Sequence, residues 1–204
     1  MTWPALSNKG RWVYYVIGYI YIAITYMVTN RQTWQIPHQL RMTIIDNSIP
    51  FLPWTGWIYA TIYVLPLIAT VFIRKVDEIK VLLFVFICTA TICSLVFAFY
   101  PTIYPRPKMI SQGFWSLPLE VIRGADFPGN CWPSEHVAFS FLSAFIMYRS
   151  SSKWGNFLIF WSVLIGISTL TTKQHYVWDV VAGYALARVV YVITERSLLP
   201  NLSR

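Results

Sequence analysis

The feature that most constrains the fold of this chain is a series of apolar runs that approach or reach the length needed to cross a lipid bilayer. A spanning helix needs about 20 mainly apolar residues, because the hydrocarbon core is about 30 Å thick. A helix also satisfies its own backbone hydrogen bonds in lipid. The six predicted spans are 12–29, 55–73, 79–100, 136–148, 157–170 and 176–194. These runs predict an all-α polytopic membrane protein, with residues 1–204 forming a single membrane-embedded domain.

The composition supports a membrane protein and gives no reason to expect a nucleic-acid partner. Of the 204 residues, 56% are hydrophobic and 12% are charged, against about 25% charged in soluble domains. The net charge is +8, but the basic residues are dispersed among loops. Anionic headgroups of membrane lipids and a phosphorylated substrate are the partners that such a charge favours.

The loop cations predict the orientation of the chain. One set of loops carries Lys9, Arg11, Arg74, Lys75, Lys80, Arg149, Lys153, Arg196 and Arg204. The other set carries Arg31, Arg41, Arg106, Lys108, Arg123 and Lys173. Because cytoplasmic loops are enriched in Lys and Arg, both termini are predicted to be cytoplasmic, with the second set of loops on the periplasmic or lumenal side.

Two connecting segments differ from ordinary short loops. Prolines at 37, 50 and 53 interrupt residues 36–54, which are interpreted as a re-entrant or interfacial stretch. His38 lies there and is interpreted as an interfacial side chain. The connection 101–135 is long and rich in proline, which is typical of a functional loop, and we expect it to be the active-site loop.

The fourth predicted span is too short to cross a bilayer. Residues 136–148 cover about 20 Å as a helix. We therefore expect this helix to begin below the membrane surface, with His136 in a recess.

A histidine and an acid share one helical face near the C-terminus. His175 and Asp179 are spaced i, i+4, and a carboxylate at that spacing fixes the histidine tautomer and makes the free ring nitrogen a better nucleophile or base. Ala182 and Gly183 allow a neighbouring helix to approach closely. The alternative is a packing histidine with a structural acid.

A second histidine follows a predicted helix start. In the sequence Pro-Ser-Glu-His, Ser134 is a plausible N-cap, and a helix N-terminus binds anions through its free N–H groups. His136 on that turn is placed to give a proton to a phosphate-ester oxygen. The alternative is an ordinary capped helix start.

Three cations are candidate phosphate ligands, although each is equally compatible with a solvated loop or headgroup contact. They are Arg106, Lys108 and Lys173. No Cys-x-x-Cys or His-rich cluster is present, and no glycine-rich nucleotide loop. We therefore expect no metal site and no cofactor.

These residues resemble the motifs of the type 2 phosphatidic acid phosphatase superfamily. The family pattern has three parts: Lys, six residues, Arg-Pro; Pro-Ser-Gly-His; and Ser-Arg, five residues, His, three residues, Asp. The chain carries Arg106-Pro107, Pro133-Ser134-Glu135-His136, and Ser168-Thr169 followed at the family spacing by His175 and Asp179. The resemblance covers roughly residues 50–195, the predicted catalytic core.

Three positions depart from the family pattern. Phe99 stands where the first motif has Lys, Glu135 replaces the glycine of the second motif, and Thr169 replaces the arginine of the third. Two phosphate-binding cations of the family are therefore missing, and spacing suggests Lys108 and Lys173 as substitutes. Glu135 is a candidate for keeping His136 protonated through its charge.

The resemblance implies a helical bundle of the same fold and a division of labour between the histidines. His175 would attack phosphorus and form a phosphohistidine, with Asp179 orienting it. His136 would protonate the leaving alcohol and then activate water or an alcohol. Phosphoryl oxygens would be held by Arg106, Lys108, Lys173 and the backbone of Ser134, without a metal.

Three functions remain open from the sequence. The first is an integral-membrane lipid phosphatase that hydrolyses a lipid phosphomonoester or pyrophosphate. The second is a phosphotransferase that moves a phospho-headgroup to a lipid alcohol, similar to inositol-phosphorylceramide synthases. The third is a non-catalytic membrane transporter or scaffold.

Overall fold

The computed structural model describes residues 8–32, 34–73, 76–109 and 111–197. Within these ranges the protein is mostly helical, with nine α-helices. They are α1 (Asn8–Asn30), α2 (Ile44–Ser48), α3 (Gly56–Ala60), α4 (Leu65–Phe72), α5 (Val76–Phe99), α6 (Leu117–Ala125), α7 (Glu135–Ser150), α8 (Ser152–Thr171) and α9 (Val177–Ser197). Arg74, Lys75 and Arg204, which the orientation prediction uses, lie outside the described residues.

Three of the described helices are long and apolar enough to span a membrane. They comprise Glu78–Phe99, Ser152–Thr171 and Val177–Ser197. A fourth span is counted only if Pro53–Tyr63 and Leu65–Phe72, which are bent by 41° at their junction, are taken as one. The described apolar part of α1, Tyr15–Asn30, is shorter. The prediction of a membrane protein agrees with these helices, whereas six spanning helices are not confirmed.

The segment predicted as one helix over 55–73 is broken into pieces. The 3₁₀ turn Pro53–Thr55 leads into α3, and a second one, Thr61–Tyr63, precedes α4. Pro66 lies in the first turn of α4, where it lacks an N–H to continue a preceding helix and its ring disfavours the helical conformation of the residue before it. The prediction that this segment is apolar and helical agrees with the structure, whereas the prediction of one continuous helix is wrong.

A small parallel ladder, which the apolar pattern did not predict, joins the two connecting segments. Strand β1 (His38–Gln39) pairs with β2 (Thr102–Ile103), so residues 36–54 are fixed against the start of the long loop. The rest of that loop contains the 3₁₀ turn Gly113–Trp115 and α6.

Helix α7 is at the centre of the bundle and packs against α4, α5, α8 and α9. Ten of its 16 residues are buried, and its two internal serines, Ser140 and Ser143, donate to carbonyls of the helix itself. At about 24 Å the helix is shorter than a hydrocarbon core, as the sequence predicted. Its environment is protein rather than lipid, which explains why a short helix with polar residues is accommodated there.

The ends of the bundle are identified by two polar contacts. Arg149 and Glu195 form an ion pair of 3.1 Å between the C-terminal turns of α7 and α9. Ser150 also hydrogen-bonds Glu78 in the first turn of α5. Helices α7 and α9 are therefore parallel, and their N-termini lie at the same end of the bundle as the C-terminus of α5.

Candidate active site

The N-termini of α7 and α9 are held together by a close backbone contact. A Cβ atom on Gly183 would lie 2.4 Å from the carbonyl oxygen of Ser134, so only glycine permits this approach. The Ser134 amide donates to the Asp179 carbonyl at 3.0 Å, and its hydroxyl caps α7 by accepting from the Val137 amide. The predictions of a Ser134 N-cap and of a close approach at Gly183 are confirmed.

His175 is fixed by two acceptors on the same ring nitrogen. Its Nδ1 lies 3.2 Å from Asp179 Oδ2 and 3.0 Å from the Cys131 carbonyl oxygen. Because both partners accept, Nδ1 carries the proton of the neutral ring, and Nε2 is left with a lone pair. Burial lowers the pKa of His175 to about 4, so the neutral, nucleophilic form prevails at neutral pH.

Asp179 is in turn fixed by the backbone. The carboxylate is fully buried, and its Oδ2 accepts from the Tyr176 amide at 2.8 Å. This contact holds the oxygen that His175 uses, and the i, i+4 pairing predicted from the sequence is present in the structure.

The two histidines face each other across the gap between α7 and α9. His175 Nε2 lies 3.5 Å from His136 Nδ1, and the Tyr59 hydroxyl lies 3.1 Å from His136 Nε2. Tyr59 is buried on α3. Sequence reasoning missed this tyrosine, since an apolar run with several aromatic residues gives no signal that singles out one of them.

Residues 36–54 support the loop that carries His175. Asp46 Oδ1 accepts from the Val177 amide at 2.8 Å, and the Asp46 carbonyl accepts from Lys173 Nζ at 2.8 Å. The aspartate also forms a capping box with Thr43. The spacing Thr-x-x-Asp was the sequence signal for this cap, but its contact with α9 required the fold.

Lys173 and His38 are not brought to the histidine pair. Lys173 is directed at Asp46, and burial lowers the pKa of Lys173 while the charge of Asp46 partly offsets that effect. His38 is exposed and stacks on Tyr100 with ring centroids 4.6 Å apart. The interfacial interpretation of His38 stays a prediction.

Arg106, the one cation retained from the first family motif, forms a partly buried ion pair with Asp126. Its Nη2 lies 2.7 Å from Asp126 Oδ2, and its Nη1 donates to the Asp126 carbonyl at 2.7 Å. Asp126 also accepts from the Tyr26 hydroxyl at 2.9 Å. The Nε of Arg106 is buried and has no hydrogen-bond partner within the described part of the chain.

Arg123 is a second arginine of the site, which sequence analysis counted only as a loop cation. It donates to the Pro107 carbonyl at 2.9 Å and to the Thr172 carbonyl at 2.8 Å, so it links the Arg106 loop to the turn before His175. Burial, and secondarily the charge of Arg106, lower the pKa of Arg123 to about 10. Its Nε is also buried without a partner among the described residues.

The position of Arg123 depends on a close helix contact. A Cβ atom on Gly56 would lie 2.9 Å from Leu119 Cβ, so the absence of a side chain lets α6 pack directly against α3. Residue spacing could not have indicated this contact, because Arg123 is 49 residues from Thr172, whose carbonyl it contacts.

The remaining predicted site residues, two phosphate ligands and Glu135, which was predicted to keep His136 protonated, have different surroundings. Lys108 is exposed. The Ser134 amide is occupied by Asp179, as described above. Glu135 is 4% exposed, and its Oε1 has no hydrogen-bond partner in the described chain; no hydrogen bond joins it to His136 there.

At two of the three positions that depart from the family pattern, the residue that is replaced is a cation. Phe99 is 73% exposed. Thr169 is buried, and its carbonyl accepts from the amides of Gln174 and His175. It therefore shapes the turn that presents His175.

Among the described residues, no group of three or more His, Cys, Asp or Glu side chains is placed to hold a metal ion. A cavity of about 490 Å³ opens beside His136 and is lined mainly by apolar side chains of α1, α4, α6 and α7.

Together, the apolar helices indicate a helical membrane protein, and the N-termini of α7 and α9 bring two histidines close together. A family model described as the PAP2 superfamily matches residues 31–193, and the chain belongs to that superfamily. The resemblance read from the sequence motifs is confirmed, and the match begins earlier than the predicted core. Members of the superfamily are phosphatases, which supports an enzyme. Neither the curated proteins nor the solved structures gave a significant match.

Proposed function

We propose that this protein is an integral-membrane lipid phosphatase that hydrolyses a lipid phosphomonoester or pyrophosphate through a phosphohistidine on His175. The observation that carries the proposal is the pairing of Nδ1 with Asp179 and the Cys131 carbonyl. That pairing leaves the Nε2 lone pair directed at His136, where a reacting phosphoryl group would lie.

The proposed reaction has two steps. In the first, His175 Nε2 attacks phosphorus, the bond between phosphorus and the leaving oxygen breaks, and His136 gives its proton to that oxygen. In the second, His136 removes a proton from water, the hydroxide attacks phosphorus, and the bond to Nε2 breaks to release phosphate. Asp179 stabilises the cationic ring of the intermediate. His175 Nε2 and His136 Nδ1 are 3.5 Å apart, so the two rings separate to admit the phosphoryl group.

We propose that Arg106 and Arg123 hold the phosphoryl oxygens. Both arginines carry a buried Nε that lacks a partner among the described residues, and guanidinium groups bind phosphate through directed N–H bonds. Arg123 would supply a charge that the family motif provides elsewhere and that Thr169 cannot. Lys108 and Lys173 are weaker candidates, because one is exposed and the other is held by Asp46.

We also propose that the active site is periplasmic or lumenal and that both termini are cytoplasmic. The C-terminal turns of α7 and α9 lie together at the end opposite the histidines. That end of the bundle carries Arg149, Lys153 and Arg196. Because cytoplasmic loops are enriched in Lys and Arg, we assign this end to the cytoplasm.

The test is phosphate release by the purified protein in detergent from a lipid phosphomonoester. Release without any added alcohol supports the phosphatase. Product that appears only when a lipid alcohol is supplied supports the phosphotransferase instead. If neither substrate pair turns over, the transporter or scaffold interpretation stands.

Metal independence is tested in the same assay. We expect full turnover after incubation with a strong chelator, because the proposed charges come from side chains. Loss of turnover that zinc restores would contradict this part of the proposal.

A further inference from the structure

The cavity beside His136 has a polar mouth and an apolar interior. Glu135 and His136 lie on the first turn of α7 and line it, and Phe139 lines it one turn further along. The interior is completed by apolar side chains from other helices, among them Ile22, Met27, Ile62, Pro66 and Phe86. The cavity therefore leads from the proposed reacting group into the apolar part of the bundle.

The size and lining of the cavity suit an alkyl chain. Its volume of about 490 Å³ falls in the range of small-molecule sites. Because its lining is mainly apolar, an alkyl chain that leaves water for this cavity gains affinity.

Glu135 gives the mouth of the cavity an unused hydrogen-bond acceptor. The side chain is 4% exposed, lines the cavity, and has a buried Oε1 with no partner in the described ranges. A buried carboxyl oxygen without a hydrogen bond is costly, so a ligand that supplies a donor there gains affinity. The family pattern has glycine at this position and cannot make the contact.

We infer that the cavity binds an alkyl chain of a lipid phosphate, and that Glu135 accepts a hydrogen bond from a hydroxyl that the lipid carries close to its phosphoester. This inference rests on the proposed phosphatase function. It assigns Glu135 to substrate selection and not to the acid–base chemistry of His136.

The hydroxyl contact is tested with matched substrates. We compare a 1-acylglycerol 3-phosphate with the 3-acyloxypropyl phosphate of the same acyl chain, which lacks only the hydroxyl. A second pair, a long-chain 2-amino-3-hydroxyalkyl phosphate and its 3-deoxy form, distinguishes the two lipid sources of such a hydroxyl. We expect kcat/KM of the native protein to favour the hydroxylated member of at least one pair by about tenfold, at the upper end of the effect of one hydrogen bond.

Substitution of Glu135 then decides whether the preference comes from this residue. In Glu135→Ala the ratio of kcat/KM between the members of the preferred pair is expected to fall to about one, with Glu135→Gln, which keeps an acceptor oxygen, in between. Equal rates within both pairs in the native protein, or an unchanged ratio in Glu135→Ala, would overturn the inference alone. No phosphate release from any of the four lipids would instead count against the proposed function.

The chain-binding part is tested without disturbing the protein core. Ala23 of α1 lines the cavity and is exposed, so Ala23→Trp places bulk in the apolar part of the cavity where the alkyl chain would lie. We expect the ratio of kcat/KM for a long-chain over a short-chain lipid phosphate to fall about tenfold. Ile24→Trp, at an exposed neighbour that does not line the cavity, is the matched control. If both variants keep the native ratio, the chain does not occupy this cavity.

Discussion

The two histidines of the site lie in unlike surroundings. His175 is held by a backbone carbonyl and a buried carboxylate, and that carboxylate is itself held by the Tyr176 amide. The hydrogen-bond partners of His136 among the described residues are the Tyr59 phenol and His175, and the ring also lines a largely apolar cavity. The difference suggests that the His175 side determines the chemistry, whereas the His136 side determines which lipid is accepted.

The largest effect is expected from removing the nucleophile. His175→Ala eliminates the ring that would form the covalent intermediate, and we expect turnover to fall by about 10⁴-fold or more. Phosphate release from a lipid phosphomonoester is the measurement. Lys153→Ala, at an exposed position at the opposite end of the bundle, serves as the folding and assay control. Turnover of His175→Ala close to that of the control would contradict the assignment of His175.

The next effect concerns the partner that orients His175. Asp179→Asn keeps the size of the side chain but removes its charge, and its amide can present an N–H to Nδ1 and stabilise the wrong tautomer. We expect kcat to fall by about 10²- to 10⁴-fold. The Michaelis constant should change much less, since no substrate contact is lost. A variant with altered KM and native kcat would place Asp179 in binding instead of in orientation.

A smaller effect is expected from Arg123, which donates to the Thr172 carbonyl in the turn before His175. Arg123→Gln removes one charge near the proposed phosphoryl position, and we expect kcat/KM to fall by about 10²-fold. Arg123→Lys should restore part of the loss, because the charge returns without the planar N–H geometry. Lys153→Gln, at an exposed cation of the opposite end, is the matched control. Equal effects of Arg123→Gln and Lys153→Gln would remove Arg123 from the site.

The smallest effect is a pH dependence that separates His175 from an ordinary histidine. An unperturbed histidine has a pKa of about 6.5, whereas burial lowers the pKa of His175 to about 4. The neutral form is favoured in the folded protein, so folding stability contributed by this group is present above pH 6.5 and falls as the pH drops toward 4. The turnover rate should likewise fall only as the pH approaches 4, because the His175 nucleophile is protonated there.

Nuclear magnetic resonance of labelled histidine rings in detergent is the appropriate measurement, because a phosphate monoester itself titrates near pH 6. The His175 signal, identified by its loss in His175→Ala, should remain that of a neutral ring at about pH 5. A midpoint near 6.5 would show that His175 is less buried than the account requires.

The sequence predicted those parts of the molecule that depend on local pattern. The apolar runs of α5, α8 and α9 were recognised because each is continuous, and the pair His175 and Asp179 because i, i+4 residues share a helical face. The break at α4 escaped prediction because apolar character continues across the bend.

The missed parts of the site depend on contacts between distant segments. Arg123 reaches the turn before His175 only because Gly56 lets α6 pack against α3. Asp46 supports α9 from a segment 131 residues away. Such contacts form only when the helices of the bundle pack together, and no residue spacing in the sequence indicates them.

The central claim is that His175, and not His136, becomes covalently phosphorylated. The most direct test is rapid quenching of the purified protein during turnover of a lipid phosphomonoester, followed by peptide mass spectrometry under alkaline conditions that preserve phosphohistidine. In His136→Ala, an aryl phosphomonoester, whose leaving group needs no acid in the first step, should let the intermediate accumulate because the second step lacks its base. The account predicts phosphate on the peptide that contains His175. Phosphate on His136 in the native protein, or turnover with no phosphorylated histidine in either form, would contradict it.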